Sequence, residues 1–172
     1  RAGDTISYSA SATDSAGNPI GGDLFTTEVL LHHHDHTHPL LAPITGKSRQ
    51  YSIPTSGETS ADTWHEIIFR VTDADNLTAI KSVNIYPKKS NFTLQTVPAN
   101  MQVYLDGTLI YTPSTVEGVV GLQRELNVPT IQKSGSDYYE FSNWSDGGNA
   151  DHFIETPETD TTYTATYSQV TN

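Results

Sequence analysis

Turn-forming residues punctuate the chain at short intervals, and this spacing limits the length of any regular element. Clusters of Gly, Asn, Asp, Ser and Pro recur about every 8 to 12 residues, and short alternating segments lie between them. The segments "WHEIIFRVTDADN" (64–76) and "TAIKSVNIYP" (78–87) are strand-like runs that end in turns. No window shows the sustained 3.6-residue apolar period of a long helix. The pattern therefore predicts an all-β chain.

The second half of the chain has the same short-strand pattern without repeating the sequence. "YLDGTLIY" (104–111) predicts a hairpin, because Asp-Gly favours a tight type I′ turn. "TYTATY" alternates strictly, so Tyr163, Ala165 and Tyr167 should share one face of a strand. A chain of 172 residues suits two small domains. We place their join in "PKKSN" (87–91) and predict two tandem immunoglobulin-like β-sandwiches, residues 1–88 and 89–172.

Charge and composition narrow the function classes. The formal net charge is -11 with only nine Lys and Arg, which argues against binding nucleic acid or anionic membranes. The chain has no cysteine, so disulfides and thiolate zinc sites are excluded. No apolar run approaches the roughly 20 residues of a membrane-spanning helix. The opening "RAGDTISYSA" reads like the interior of a longer polypeptide, so we expect an excised fragment.

The stretch "LLHHHDHTHPLL" (30–41) holds five of the seven histidines. On a continuous strand, His32, His34, His36 and His38 would share one face, and imidazoles so placed suit zinc, copper or nickel. Glu58, Asp62 and His65 are further candidate ligands, and Glu58 could instead orient a ligand histidine without touching the ion. Three alternatives to a metal site stay open: a neutral hydrogen-bonded cluster, a direct sugar contact or pH switch, and a purification tag, although Asp35 and Thr37 interrupt the run.

Further candidate sites are weaker. "TDADN" (72–76) is rich in the oxygen atoms that calcium prefers, but Asp and Asn also form ordinary turns, which we favour. An aromatic platform beside a polar side chain is typical of sugar binding, and the candidates are Trp64, Trp144, Tyr138 and Asp146. For Trp144, burial in a core is the better interpretation. No Gly-x-Ser-x-Gly elbow, nucleophilic cysteine or convincing carboxylate pair indicates an enzyme.

Several of these stretches resemble a known family. "HHHDHTHPLL", "SIPTSGET" and "FRVTDADNLT" resemble the PKD-type immunoglobulin-like module near the C-terminus of exported bacterial glucose/sorbosone dehydrogenase-like proteins. "LDGTLIYTPSTVEGVVGLQREL", "YYEFSNWSDGG" and "TPETDTTYTATY" resemble the small β-domain that follows it. The resemblance covers nearly the whole chain. It implies His32, His33, His36 and His38 as the matching histidines, and a strand that ends or bulges near residue 34.

The resemblance also implies a function. It implies export to the periplasm or the extracellular space, and attachment to a catalytic domain that acts on sugars. We therefore expect a non-catalytic accessory module that binds polysaccharide or positions that domain. The alternatives are a copper- or zinc-binding module with a structural or redox role, and an inert structural spacer.

Overall fold

The computed structural model describes residues 1–170, and within them it is all-β. Among these described residues, fifteen strands account for the regular structure, and the single helical element is the 3-10 turn Gly22–Leu24. The all-β prediction is therefore confirmed. No helix in the described part of the chain has the length and apolar character to cross a membrane.

The chain divides into two compact units. The N-terminal unit comprises Gly3–Ile53 and Asp62–Pro87, and the C-terminal unit comprises Arg1–Ala2, Pro54–Ala61 and Lys88–Asn172. The chain passes from the N-terminal unit to the C-terminal unit between Pro87 and Lys88. This point lies inside the stretch 87–91, where the sequence predicted the domain boundary. The segment Pro54–Ala61 was not expected in the C-terminal unit; the Thr55 carbonyl there accepts a hydrogen bond of 2.8 Å from the Gln123 amide.

The N-terminal unit contains six strands in two sheets. They are β1 (Thr5–Ser9), β2 (Phe25–His33), β3 (His36–Thr45), β4 (Ser48–Ser52), β5 (Thr63–Thr72) and β6 (Thr78–Ile85). The larger sheet is antiparallel in the order β3-β2-β5-β6, and β1 pairs with β4 in the smaller one. Alternation along β2 and β5 turns Val29, Ile67 and Phe69 inward, where Tyr8 and Tyr51 of the smaller sheet pack with them.

The described part of the C-terminal unit contains nine strands. They are β7 (Lys89–Val97), β8 (Gln102–Leu105), β9 (Thr108–Tyr111), β10 (Ser114–Val119), β11 (Gln123–Asn127), β12 (Ile131–Ser134), β13 (Asp137–Trp144), β14 (Asp151–Glu155) and β15 (Thr161–Gln169). One sheet has the order β10-β7-β15-β13-β12, in which β7 and β15 run parallel, and the other has the order β14-β11-β8-β9. Their shared core includes Phe92, Leu94, Leu126 and Trp144.

Two local predictions for this unit are confirmed. Ala165 and Tyr167 are buried in the core and Tyr163 packs against it, so the three alternate residues of β15 share one face. Asp106 and Gly107 have φ values of 50° and 75°, as a type I′ turn between β8 and β9 requires.

Asp106 has a second role beyond the turn. Its Oδ2 accepts hydrogen bonds of 2.7 Å from Nε and 2.6 Å from Nη2 of Arg124, and its Oδ1 accepts one from the Glu125 amide. The Arg124 side chain is only 5% exposed and its guanidinium lies over the Phe92 ring. A buried guanidinium is tolerated when a carboxylate neutralises it, so one turn residue stabilises both the hairpin and the core.

We therefore expect Asp106→Ala to destabilise the protein strongly. The variant leaves a buried cation without its partner and puts alanine at a positive φ, so the loss should be about 3 to 5 kcal/mol. Urea unfolding followed by fluorescence measures it. Asp106→Asn, which tolerates the turn, should lose less, and the exposed Asp151→Asn of the same sheet should change stability by no more than about 0.5 kcal/mol. Equal losses for Asp106→Ala and Asp151→Asn would contradict the assignment.

Candidate functional site

A two-residue turn, His34–Asp35, divides the histidine-rich stretch. Strand β2 ends at His33 and β3 begins at His36, so these two residues are direct cross-strand partners, and Leu31 pairs with His38. His34 adopts a left-handed φ of 51° at the reversal. The chain reverses in the middle of the stretch, so His32, His34, His36 and His38 do not share the face that a continuous strand would have given them. The strand end implied near residue 34 is present, but the chain returns at once as a strand.

The hairpin brings three imidazoles together. One ring nitrogen from each of His33, His36 and His38 lies within 4.8 Å of the other two, and the three could hold a metal ion. Nε2 of His33 is 2.9 Å from Nε2 of His38, and the His33 and His36 ring centroids are 3.9 Å apart. His33 is buried, whereas His36 and His38 are exposed. The buried His33 ring is therefore held by its surroundings, whereas solvent can reach the rings of His36 and His38.

His32, one of the four histidines that the resemblance implied, lies on the opposite face of the sheet. Successive residues of a strand point to opposite sides, and His32 pairs with Thr37 and with Trp64 rather than with the cluster. Its Nε2 is 2.8 Å from Oε2 of Glu66, and its ring stacks on Trp64 at a centroid distance of 4.7 Å. His32 is thus separated from the other three histidines.

Glu66 is held as a carboxylate in this arrangement. Hydrogen bonds from the Ser82 hydroxyl first, and then from His32, lower the pKa of Glu66, although partial burial opposes the shift. Tyr86, which the sequence analysis missed, lies beside Trp64 at a centroid distance of 6.3 Å and is 69% exposed. The sequence did contain a signal for it, since antiparallel pairing of "WHEIIFRV" with "TAIKSVNIYP" brings Tyr86 opposite Trp64.

The turn residues contact two members of the cluster. Nδ1 of His36 is 3.3 Å from Oδ1 of Asp35, and Nδ1 of His33 is 3.3 Å from Nδ1 of His34. The hydrogen bond to His36 is the main reason that the pKa of Asp35 lies below its ordinary value. Asp35 therefore keeps its negative charge at the tip of the hairpin.

Glu58 belongs to the segment Pro54–Ala61, which is part of the C-terminal unit. Its carboxylate accepts a hydrogen bond of 2.8 Å from the Ser60 amide. Its role as a ligand or as an orienting carboxylate stays a prediction.

The remaining sugar candidates lie in the C-terminal unit and do not form one site. Trp144 is 1% exposed in the core, so its ring offers no face to a sugar, in line with the preferred interpretation. The Asp146 carboxylate already has partners within the unit. Its Oδ2 is 3.0 Å from Nε2 of His152, and its Oδ1 accepts a hydrogen bond from the Gly148 amide. Tyr138 is exposed, with the Lys133 ammonium over its ring. Tyr138 and Trp144 lie six positions apart on β13, about 20 Å along a strand.

The candidate calcium loop behaves as an ordinary turn. Oδ1 of Asp73 accepts hydrogen bonds from the amides of Asp75 and Leu77, at 3.0 and 2.9 Å, and Asn76 has a φ of 63°. Asp and Asn form such turns without any ion. The geometry gives calcium no support here.

Comparison of the chain with protein-family models, with curated proteins and with solved structures finds no match.

His65 is a partly buried histidine on the same face of the sheet as His33. It pairs with Leu31 of β2, and its ring lies 6.0 Å from that of Tyr51. Its Nε2 is buried and has no hydrogen-bond partner among the described residues. Burial lowers the pKa of His65, because the protonated ring would lose its hydration.

This shift makes stability depend on pH. Below the unfolded-state pKa of about 6.5, the unfolded chain takes up a proton at His65 that the folded chain does not, so stability falls as the pH drops. We expect His65→Phe to reduce the stability lost between about pH 8 and pH 5. Urea unfolding of both proteins at several pH values measures the difference. Parallel stability curves for the two proteins would show that His65 is not responsible.

Proposed function

We propose that the N-terminal unit is a metal-binding module that holds zinc or copper through His33, His36 and His38. The observation that carries the proposal is the convergence of one ring nitrogen from each residue within 4.8 Å, on one face of a two-strand hairpin. Imidazole is a favoured ligand for zinc, copper and nickel and a poor one for calcium or magnesium. The chain has no cysteine to compete as a ligand.

The distances fit an ion after small side-chain rotations. Two nitrogens bound to one zinc at 2.0–2.1 Å lie about 3.4 Å apart at the tetrahedral angle. The 2.9 Å gap between His33 and His38 therefore needs to widen by about half an ångström. Because His36 and His38 are exposed, their rings can turn without disturbing the core, while the buried His33 fixes the position of the site.

Three ligands leave room for a fourth. Closed structural zinc sites use four protein ligands, whereas sites that act on a substrate keep a position for water or for that substrate. With His36 and His38 facing solvent, the hairpin suits an open site. The net charge of -11 also favours the approach of a cation.

Metal analysis and calorimetry test this proposal on protein purified without a nickel column. We expect about one zinc or copper ion per chain and a melting temperature that rises as the ion is added, since binding to the folded state stabilises it by about 2.7 kcal/mol at 100 times Kd. His36→Ala and His38→Ala should each weaken binding by more than the roughly 10- to 100-fold typical of an outer partner.

His32→Gln is the matched control, because it removes a neighbouring histidine from the opposite face and should leave the affinity unchanged. Protein that binds no stoichiometric zinc or copper, and whose melting temperature does not change when either ion is added, would refute the proposal.

A second function, polysaccharide binding, is favoured by the opposite face of the same sheet. We infer it from Tyr86, which is 69% exposed beside the half-buried Trp64, with the Glu66 carboxylate nearby. Aromatic rings of this kind can stack on sugar rings, and a fixed carboxylate can accept hydrogen bonds from sugar hydroxyls. The resemblance to modules of exported sugar-acting proteins supports this role. The same resemblance supports a tandem immunoglobulin-like organisation, export of the protein and an attached catalytic domain.

Affinity electrophoresis in gels containing plant or microbial polysaccharides tests the second function. We expect retention in at least one gel, reduced by Trp64→Ala and Tyr86→Ala because each removes part of the aromatic surface. Tyr138→Ala shows whether the C-terminal unit contributes, and Tyr111→Ala controls for loss of any exposed tyrosine. Unaltered migration in every gel would count against sugar binding. If neither metal nor polysaccharide binds, a structural spacer is the remaining alternative.

A further inference from the structure

We propose that the two turn residues, His34 and Asp35, are positioning residues of the metal site. Each accepts the Nδ1 hydrogen of the adjacent ligand histidine, so that Nε2 of His33 and of His36 is directed at the ion. The inference rests on the proposed metal-binding function and adds to it the residues that set the ligand geometry. Histidine ligands usually donate their second ring N–H to a carboxylate or another acceptor, which fixes the tautomer and the ring orientation.

The contact between Asp35 and His36 has the form of such a pair. Oδ1 of Asp35 is 3.3 Å from Nδ1 of His36. An ionised carboxylate can only accept a hydrogen bond, so the His36 hydrogen lies on Nδ1. In a neutral ring this leaves the lone pair on Nε2, so Nε2 is the nitrogen of His36 that can bind a metal.

The contact between His34 and His33 serves the other ligand. Nε2 of His33 lies 2.9 Å from Nε2 of His38, a distance at which one of the two nitrogens must hold a hydrogen between them. A bound ion takes the place of that hydrogen, so neutral His33 must then carry its own hydrogen on Nδ1. Nδ1 of His34 is 3.3 Å away and can accept it.

The hairpin turn makes this arrangement compact. The two proposed ligands, His33 and His36, flank the turn, and the two acceptors, His34 and Asp35, form it. The reversal therefore places His34 next to His33 and Asp35 next to His36. The left-handed φ of 51° at His34 is part of that reversal. His34 is therefore not an inert neighbour of the cluster, although it contributes no atom to the group of three.

Zinc titration calorimetry of His34→Gly and Asp35→Ala tests the inference. Glycine keeps the left-handed turn and removes the acceptor. We expect each variant to bind one zinc ion about 10- to 100-fold more weakly than the wild type, with the unfolding midpoint of the metal-free protein unchanged. Asp35→Asn, which keeps an oxygen acceptor, should recover part of the loss. Thr37→Ala, on the opposite face of the hairpin, is the matched control and should bind as the wild type does.

Imidazole ¹⁵N spectra of the zinc complex supply a readout that a purely structural turn would not change. In the wild type, His33 and His36 should bind zinc through Nε2 and keep the hydrogen on Nδ1, and Asp35→Ala should show mixed tautomers at His36. Wild-type affinity in both turn variants, or zinc bound to Nδ1 of His36, would overturn the inference. A wild-type protein that binds no zinc or copper would instead refute the metal-binding function, so the two failures are distinguishable.

Discussion

The reversal at His34–Asp35 is the constraint on which the candidate site depends. A β-hairpin joined by two residues fixes the register of its strands, and the register decides which side chains meet. Here it pairs His33 with His36 and places His38 diagonally across from His33. The same reversal moves His34 out of the strand into the turn, and it leaves His32 on the other face. A turn shifted by one residue would bring a different set of imidazoles together.

The larger sheet of the N-terminal unit therefore presents different chemistry on its two faces. One face holds His33, His36 and His38 at its end, next to the core around Val29 and Ile67. The other face carries Trp64 and its neighbours: His32, Glu66 and Tyr86. Because adjacent strand residues point in opposite directions, a metal ion and a sugar chain would contact separate sets of side chains. Neither role excludes the other.

In the C-terminal unit, the carboxylates of Asp106 and Asp146 contact other side chains of the same unit rather than standing free to bind a ligand. Asp106 neutralises the buried Arg124, and Asp146 holds His152 against Trp144. Trp144 itself fills the core between the two sheets. These residues are therefore engaged inside the unit, and of the sugar-binding candidates there Tyr138 is the exposed aromatic one.

The sequence by itself determined the all-β class, the Asp106-Gly107 turn and the inward face of β15, because alternation and turn preference are local properties of a few neighbouring residues. It also supplied the ligand chemistry, five imidazoles in seven residues with no cysteine. Only the tertiary structure decided which imidazoles converge, that Trp144 is buried and that Tyr86 adjoins Trp64. Those outcomes depend on a chain reversal and on pairing between strands that are distant in sequence, as with His32 of β2 and Trp64 of β5. A short sequence pattern does not specify which distant strand it will pair with, and the histidine-rich stretch folds as a hairpin with three imidazoles on one face.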